Sequence, residues 1–168
     1  MKGFIVWLLS LVGLASPGMP IQEGQPAYPF VLTSDEGKTE RLTDYRGRWV
    51  ILYFYPKADT PGCTTQAKEY TRLMPEFEKL RVKVFGVSTD SVESLRRFKE
   101  KYNLKVTFLS DPKGQVAKAY GVSVIAGFCS RDTVVIDPYG KVEKIYRGVD
   151  PKADPQEVLR LIRSKQSL

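Results

Sequence analysis

The sequence predicts an α/β fold in which a central mixed β-sheet is covered by helices on both faces and preceded by an N-terminal β-hairpin. Strand-like and helix-like patterns alternate along most of the chain, and residues 49–55 form an uninterrupted apolar and aromatic run. Such a run is typical of a central strand that is buried on both faces. With 168 residues, the chain is long enough for one domain with a substantial core.

The first predicted elements are a hairpin, a strand and a helix. Two strand-like runs, residues 30–33 and 40–42, lie on either side of a polar turn and predict the hairpin. The buried strand at 49–55 follows. Residues 63–80 then carry apolar side chains at spacings of three or four, which predicts an amphipathic helix.

The second half continues the alternation of strands and helices. The predicted elements are a strand at 82–87, a helix opened by a capping box at Asp90 and Glu93, a strand at 106–109, a short helix through Tyr120, antiparallel strands at 133–136 and 142–146, and a final helix that begins at Asp154 and Pro155.

The N-terminus has the pattern of an export signal. Lys2 precedes an apolar run at residues 4–15, and the small residue Ala15 ends a cleavage motif. Twelve residues are short for a membrane-spanning helix, which needs about 20. We therefore predict a signal peptide over residues 1–15, a linker over 16–26 and one domain over 27–168, with an uncleaved anchor or a buried helix as alternatives. A signal peptide implies a periplasmic or extracellular protein.

Composition excludes several kinds of chemistry. The chain has no histidine, which excludes a Ser-His-Asp triad, a Cys-His pair and histidine-ligated zinc. Its two cysteines are too few for a metal site made of four thiolates. The net charge of +7 allows an anionic partner without requiring one. No nucleic-acid-binding motif accompanies the basic residues, so no nucleic-acid partner is expected.

Cys63 lies where the buried strand has ended and the amphipathic helix begins. The free N–H groups and the dipole of a helix N-terminus favour a thiolate at such a position. A helix terminus supplies only about 0.3–1 kcal/mol, so a cationic side chain is also expected near the sulfur. The alternative is that Cys63 is an inert buried thiol that packs as a small apolar residue.

The spacing Pro56-x-x-x-Thr60-x-x-Cys63 resembles the active-site motif of peroxiredoxins, which are thiol peroxidases with a thioredoxin-like fold. The surrounding sequence YFYPKADTPGCTTQA is similar to the bacterioferritin-comigratory-protein, or PrxQ-like, branch. The resemblance extends over residues 20–165 and includes the Asp111-Pro112 turn and the segment 131–137.

This resemblance implies a role for four residues. Cys63 would attack the O–O bond of a hydroperoxide and become a sulfenic acid. Thr60 would hydrogen-bond the thiolate and the peroxide, Pro56 would shield the site, and Arg131 would stabilise the developing charge. Without the resemblance, Thr60 is equally an N-cap, Pro56 a strand terminator and Arg131 a surface residue. No metal or organic cofactor is implied.

Cys129 is the candidate resolving cysteine. Many PrxQ-like proteins carry a resolving cysteine five residues after the first, but this chain has Lys68 there, and Gln66 replaces the second thiol of a Cys-x-x-Cys motif. If the chain is extended, Cys129 and Arg131 project from the same face. Because the resemblance places Arg131 at Cys63, Cys129 is expected near Cys63 and would form a disulfide with it once the first turn of the helix unwinds. The alternatives are a packing residue in a one-cysteine enzyme and an intersubunit disulfide.

The resemblance implies an exported peroxidase that reduces hydrogen peroxide and organic hydroperoxides. A thioredoxin-like protein or a small thiol would regenerate it, and the protein would be monomeric, with no stable membrane insertion once the signal is removed. Two alternatives are a non-catalytic binding module on a thioredoxin-like scaffold and a thiol–disulfide oxidoreductase of the cell envelope.

Overall fold

A computed structural model describes residues 19–167. The predicted signal peptide, residues 1–15, and the start of the predicted linker, residues 16–18, lie outside the described residues. Between residues 19 and 167, no helix is both long and apolar enough to cross a membrane.

The described residues form nine β-strands. In chain order they are β1 (Val31–Ser34), β2 (Thr39–Arg41), β3 (Trp49–Phe54), β4 (Val82–Ser88), β5 (Thr107–Ser110), β6 (Val124–Ile125), β7 (Phe128–Cys129), β8 (Thr133–Ile136) and β9 (Val142–Tyr146). Seven of them form one sheet in the order β2-β1-β5-β4-β3-β8-β9, while β6 and β7 form a separate hairpin. β3 is parallel to β4 and antiparallel to β8. The predicted mixed sheet and the N-terminal hairpin, β1 with β2, are confirmed.

The same residues contain four α-helices and one 3₁₀ helix. They are the 3₁₀ helix Leu42–Tyr45 and the helices α1 (Pro61–Lys79), α2 (Val92–Tyr102), α3 (Gln115–Ala119) and α4 (Asp154–Gln166). α1 begins two residues before the predicted start, at a proline, because the fixed φ of proline suits the first turn and its missing N–H is not needed there.

The sheet separates two hydrophobic cores. Alternate side chains of β3 point to opposite faces, so Ile51 and Tyr53 belong to one core, while Leu52 and Phe54 belong to the other. We call the core beneath α1, α2 and α4 the front core, and the core beneath α3 and the 3₁₀ helix the back core. Helices on both faces of the sheet were predicted, and this is confirmed.

The N-terminus of α2 differs from the prediction. Ser91, not Asp90, is the N-cap, and its hydroxyl accepts a hydrogen bond from the N–H of Ser94 at 3.2 Å. Asp90 instead accepts a hydrogen bond from the N–H of Ala58 at 2.8 Å. The predicted capping box is therefore wrong, because Asp90 binds the loop before α1.

The described part of the predicted linker packs on the domain. The N–H of Ile21 donates to the carbonyl of Ala119 at 3.1 Å, and the N–H of Gly24 donates to that of Val142 at 2.7 Å. Pro26 forms a β-bridge with Lys141. These contacts show that the folded part begins before Ala27. The proline and glycine residues of this segment form turns that pack on the domain.

Candidate active site

Cys63 lies in the first turn of α1, at the end of the short loop that follows β3. Its side chain is 2% exposed and belongs to the front core. The first N–H groups of any helix have no partner within the helix, so this turn presents hydrogen-bond donors and partial positive charge beside the thiol.

The loop before Cys63 is tied to the neighbouring helix α2. Asp59 has a φ of +60°, which is strained for a residue other than glycine. Its carboxylate accepts hydrogen bonds from the Lys101 ammonium at 2.8 Å and from the Tyr102 hydroxyl at 2.6 Å. These two donors hold the pKa of Asp59 below its usual value. Together with the bond from Ala58 to Asp90, they fix the loop between β3 and α1.

Thr60 occupies the N-cap position of α1, but its hydroxyl does not cap the helix. The hydroxyl donates a hydrogen bond to the carbonyl of Lys57 at 2.7 Å. The backbone carbonyl of Thr60 accepts from the N–H of Thr64 at 2.9 Å, which begins the helical ladder. Pro56 is half-buried directly after the last buried residue of the strand run, Tyr55.

Arg131 contacts Cys63 from the connection between β7 and β8. Its Nη1 lies 3.6 Å from Cys63 Sγ and donates a second hydrogen bond, at 2.9 Å, to Oε1 of Gln66. Residues 63 and 66 are three apart on α1 and therefore lie on the same face. Arg131 is therefore the cationic side chain that was expected near the sulfur, and the structure brings Cys63 and Arg131 together as predicted.

Gly62 makes room for the guanidinium. A Cβ at this position would lie only 2.9 Å from Arg131 Nη2, closer than carbon and nitrogen approach without a shift. The glycine before Cys63 thus permits the close approach of Arg131 to α1.

The backbone around Arg131 is held by the chain that follows β9. Asp132 accepts hydrogen bonds from Arg147 Nη1 at 3.0 Å and from the N–H of Gly148 at 2.9 Å. The N–H of Val149 donates to the carbonyl of Arg131 itself at 2.8 Å. Arg131 therefore reaches the thiol from a backbone that is fixed on both sides.

Asp154, the first residue of α4, lies behind this pair and is 2% exposed. One of its oxygens, Oδ2, accepts three hydrogen bonds: from Gln66 Nε2 at 3.0 Å, from the Tyr70 hydroxyl at 2.6 Å and from the Thr133 hydroxyl at 3.0 Å. Burial raises the pKa of Asp154, while the three donors act in the opposite direction. Sequence patterns identified Asp154 as a helix start and missed its link to the site.

Two buried tyrosines, Tyr53 and Tyr55, belong to the same hydrophobic core as Cys63. Within residues 19–167, the buried hydroxyls of Tyr53 and Tyr55 have no hydrogen-bond partner. The Tyr53 ring stacks on Tyr70 with 4.4 Å between ring centroids. Burial raises the pKa of Tyr53 well above its usual value, and the nearby Cys63 and Asp154 add to this, so the phenol is neutral.

Cys129 does not lie with Cys63. It belongs to the back core, is 2% exposed, and both cysteines are free. Burial, reinforced by nearby carboxylates, raises the pKa of Cys129 to about 12. The expected shared face with Arg131 is absent, because Cys129 lies in the back core while Arg131 contacts Cys63 of the front core. The N–H of Asp132 bonds to the carbonyl of Ser130 at 3.2 Å, so Arg131 lies in a tight turn and not in an extended strand.

Lys68 occupies the position at which many PrxQ-like proteins carry a resolving cysteine. It is exposed, and its Nζ lies 4.9 Å from the centroid of the Tyr102 ring.

In the described part of the chain, no group of three or more Cys, Asp or Glu side chains is arranged to hold a metal ion.

Comparison with known proteins gives a consistent set of similarities. The sequence profile of the AhpC/TSA family matches residues 23–145. A putative peroxiredoxin bcp from Coxiella burnetii is 40% identical over 148 residues, which cover 84% of this chain and 98% of the relative. Peroxiredoxin Bcp from Bacillus subtilis is 38% identical over 152 residues, 86% of this chain and 97% of the relative.

Solved structures agree with the sequence matches. A PrxQ mutant from Xylella fastidiosa superposes with a TM-score of 0.83 at 28% identity, over 89% of this chain and 99% of that one. A bacterioferritin comigratory protein from Xanthomonas campestris, whose structure concerns its alkyl peroxide reduction activity, gives 0.76 at 31% identity, over 81% and 91%.

Proposed function

The chain belongs to the AhpC/TSA family of peroxiredoxins, in the Bcp/PrxQ branch with its thioredoxin-like fold, and is a thiol peroxidase; from this premise we propose that Cys63 is the residue that attacks the hydroperoxide. The observation that carries the proposal is the contact of Arg131 Nη1 with Cys63 Sγ, 3.6 Å apart, in the first turn of α1. A guanidinium and a helix N-terminus acting on one sulfur favour the thiolate, which is the nucleophilic form.

In the proposed reaction, the Cys63 thiolate attacks the terminal oxygen of a hydroperoxide and displaces the other oxygen as the leaving group. A sulfur–oxygen bond forms, the O–O bond breaks, and the leaving oxygen takes a proton and departs as water or an alcohol. Cys63 is oxidised by two electrons to the sulfenic acid, and the peroxide is reduced by two. Arg131 stabilises the negative charge that moves from sulfur to the leaving oxygen.

Thr60 orients the hydroperoxide in this proposal. The hydroxyl proton of Thr60 is already donated to the carbonyl of Lys57. Thr60 Oγ1 can therefore only accept a hydrogen bond from a substrate. The O–H of an incoming hydroperoxide donates to Thr60 Oγ1, which aligns the O–O bond with the sulfur. Pro56, half-buried at the strand end, limits access of water.

We further propose that an external thiol regenerates Cys63. A thioredoxin-like protein or a small thiol condenses with the sulfenic acid, releasing water and forming a mixed disulfide, which a second thiol then reduces. Support comes from the position of Cys129, which lies in the back core with a pKa raised to about 12 and is therefore a poor attacking thiol. An internal Cys63–Cys129 disulfide is the alternative.

We propose that the protein is exported and that residues 1–15 are removed, so that it is not held in the membrane. We also propose that the mature protein is a monomer. Export is supported by Lys2, the apolar run at 4–15 and the small residues that end at Ala15. N-terminal sequencing of the protein from the producing cell checks it: Ser16 at the N-terminus is expected, whereas an intact N-terminus in the membrane fraction indicates an anchor.

Replacement of Cys63 tests the proposed role directly. With Cys63→Ser, we expect consumption of hydrogen peroxide and of an alkyl hydroperoxide, with dithiothreitol as reductant, to fall by more than about a thousandfold, because serine is not ionised at neutral pH. Cys129→Ser is the matched control and should retain activity. Peroxide turnover by Cys63→Ser at the rate of the unmodified protein would show that this residue is not the nucleophile.

A further inference from the structure

Asp154 is a buried carboxylate that accepts several hydrogen bonds from side chains of other elements. It is 2% exposed, and burying a carboxylate is costly unless its oxygens are well partnered. Three donors from two other elements converge on the single oxygen Oδ2: Gln66 and Tyr70 from α1, and Thr133 from β8. Its place in the first turn of α4 adds favourable interaction with the helix dipole.

The carboxylate sets the direction of the Gln66 side chain. An ionised carboxylate only accepts hydrogen bonds, so the amide group of Gln66 must turn its NH₂ toward Asp154. The amide oxygen Oε1 then necessarily points the other way, where it accepts from Arg131 Nη1 at 2.9 Å. Without an obligatory acceptor behind it, the buried NH₂ group of Gln66 has no fixed partner and the side chain can move or turn over.

Gln66 in turn holds Arg131 without competing for its charge. The same Nη1 that binds Oε1 also contacts Cys63 Sγ, so the position of the amide oxygen determines where the guanidinium stands relative to the sulfur. A neutral amide leaves the full positive charge of Arg131 available to the thiolate, whereas a carboxylate in direct contact would share it.

We propose that Asp154 is a positioning residue for peroxide reduction, which acts through the Gln66 amide to hold the Arg131 guanidinium against the sulfur of Cys63. The inference rests on the proposed role of Cys63. It adds a third layer to the site, contributed by α4, which lies 91 residues after Cys63 in the chain.

The competing explanation is that Asp154 only joins α4 to α1 and β8. Both explanations expect a loss of stability when Asp154 is changed, so stability does not separate them. They differ in the rate of Cys63 oxidation and in whether that rate depends on Gln66.

A double-mutant cycle separates the two explanations. The variants are Asp154→Asn, Gln66→Leu and both together. The measured quantity is the second-order rate constant for loss of the Cys63 thiol after mixing with hydrogen peroxide in the absence of reductant, quenched with an alkylating reagent and followed by mass. Asparagine keeps the shape of Asp154 but donates as well as accepts, so it no longer imposes one direction on Gln66.

We expect Gln66→Leu to lower the rate constant about tenfold, because the guanidinium that stabilises the developing charge loses the acceptor that fixes its position. Asp154→Asn should lower it at least about threefold, and it should cause no further loss in the Gln66→Leu background, because its effect passes through the amide. The rate of Cys63 alkylation by iodoacetamide at pH 7 should also fall in both single variants, because the guanidinium is no longer held against the sulfur.

Tyr120→Phe is the matched stability control. It removes one buried hydrogen bond, from the Tyr120 hydroxyl to the carbonyl of Tyr28 at 2.8 Å, on the other side of the sheet. It should lower the melting temperature and leave the rate constant unchanged.

Two results would overturn the inference: a rate constant for Asp154→Asn equal to that of the unmodified protein, or a loss of the same size with and without Gln66. If Asp154→Asn does not fold, Asp154→Glu keeps the charge but displaces the acceptor oxygen, and the same dependence on Gln66 is expected. Activity in Cys63→Ser would instead contradict the proposed function, so the two failures are distinguishable.

Discussion

The two cysteines show how neighbouring residues decide the chemistry of one residue type. Both are 2% exposed and both are free. Cys63 has a guanidinium nitrogen 3.6 Å from its sulfur and stands in the first turn of a helix. Cys129 has apolar neighbours and nearby carboxylates, which raise its pKa to about 12. Exposure alone therefore does not distinguish the two thiols, whereas the charges around them do.

Gly62 gives a prediction at the scale of one residue. Alanine is a better helix former than glycine, but Gly62 is the second residue of α1, so Gly62→Ala gains less than the ~0.5–1 kcal/mol of a mid-helix position. Its Cβ, however, would lie 2.9 Å from Arg131 Nη2 and push the guanidinium away from the thiol. We expect the rate constant for Cys63 oxidation by hydrogen peroxide to fall about tenfold while the urea midpoint changes little.

Thr65→Ala is the control for this variant, because Thr65 is exposed on the same turn and should show an unchanged rate. A Gly62→Ala protein as fast as the unmodified one would mean that Arg131 can shift without loss, and that its 3.6 Å contact with the sulfur is not required.

At the scale of elements, long patterns predicted structure well, whereas the two shortest strands were missed. The apolar run of β3 and the helical period of α1 predicted both elements that carry Cys63, because each buries many side chains in register. The hairpin of β6 and β7 was missed, since two residues per strand carry no period and its turn depends on positive φ at Ala126 and Gly127. The expected position of Cys129 was wrong because the chain turns at residues 130–132 instead of staying extended as far as Arg131.

The front face of β3 carries a second prediction. The buried Tyr53 hydroxyl has no hydrogen-bond partner within the described residues, and an unsatisfied buried group costs about 1–3 kcal/mol. Tyr53→Phe should therefore raise the free energy of unfolding by about 1 kcal/mol, measured by urea denaturation, while keeping the ring stacked on Tyr70.

Tyr70→Phe is the matched comparison, because it removes a hydroxyl that does donate, to Asp154 at 2.6 Å, and should lower the free energy of unfolding. Equal losses of stability for the two variants would indicate that the Tyr53 hydroxyl has a partner in solution, such as bound water.

At the scale of the whole molecule, the site is assembled from distant parts of the chain. Cys63 comes from α1, Arg131 from the connection before β8, and Asp154 from the start of α4. The first two were predictable because the resemblance to the peroxiredoxin motif marks Cys63 and, just before a predicted strand, Arg131; without that resemblance, the position of Arg131 indicates a surface residue. Asp154 was not predictable, since its meaning depends on the packing of α4 against α1, which no local pattern encodes.

The sheet itself yields the last prediction, because it stands between the two cysteines. Cys63 lies in the front core and Cys129 in the back core, so a disulfide between them requires that the first turn of α1 or the β6–β7 region unfold. At pH 7, far below a pKa of about 12, Cys129 is also a neutral thiol and attacks a sulfenic acid slowly.

With one equivalent of hydrogen peroxide, the reduced protein lacking residues 1–15 should therefore gain about 16 mass units, trapped at Cys63 by a sulfenic-acid reagent. Cys129→Ser should give the same gain. A loss of about two mass units in the monomer, abolished by Cys129→Ser, would instead establish an internal disulfide and show that α1 unwinds during each catalytic cycle.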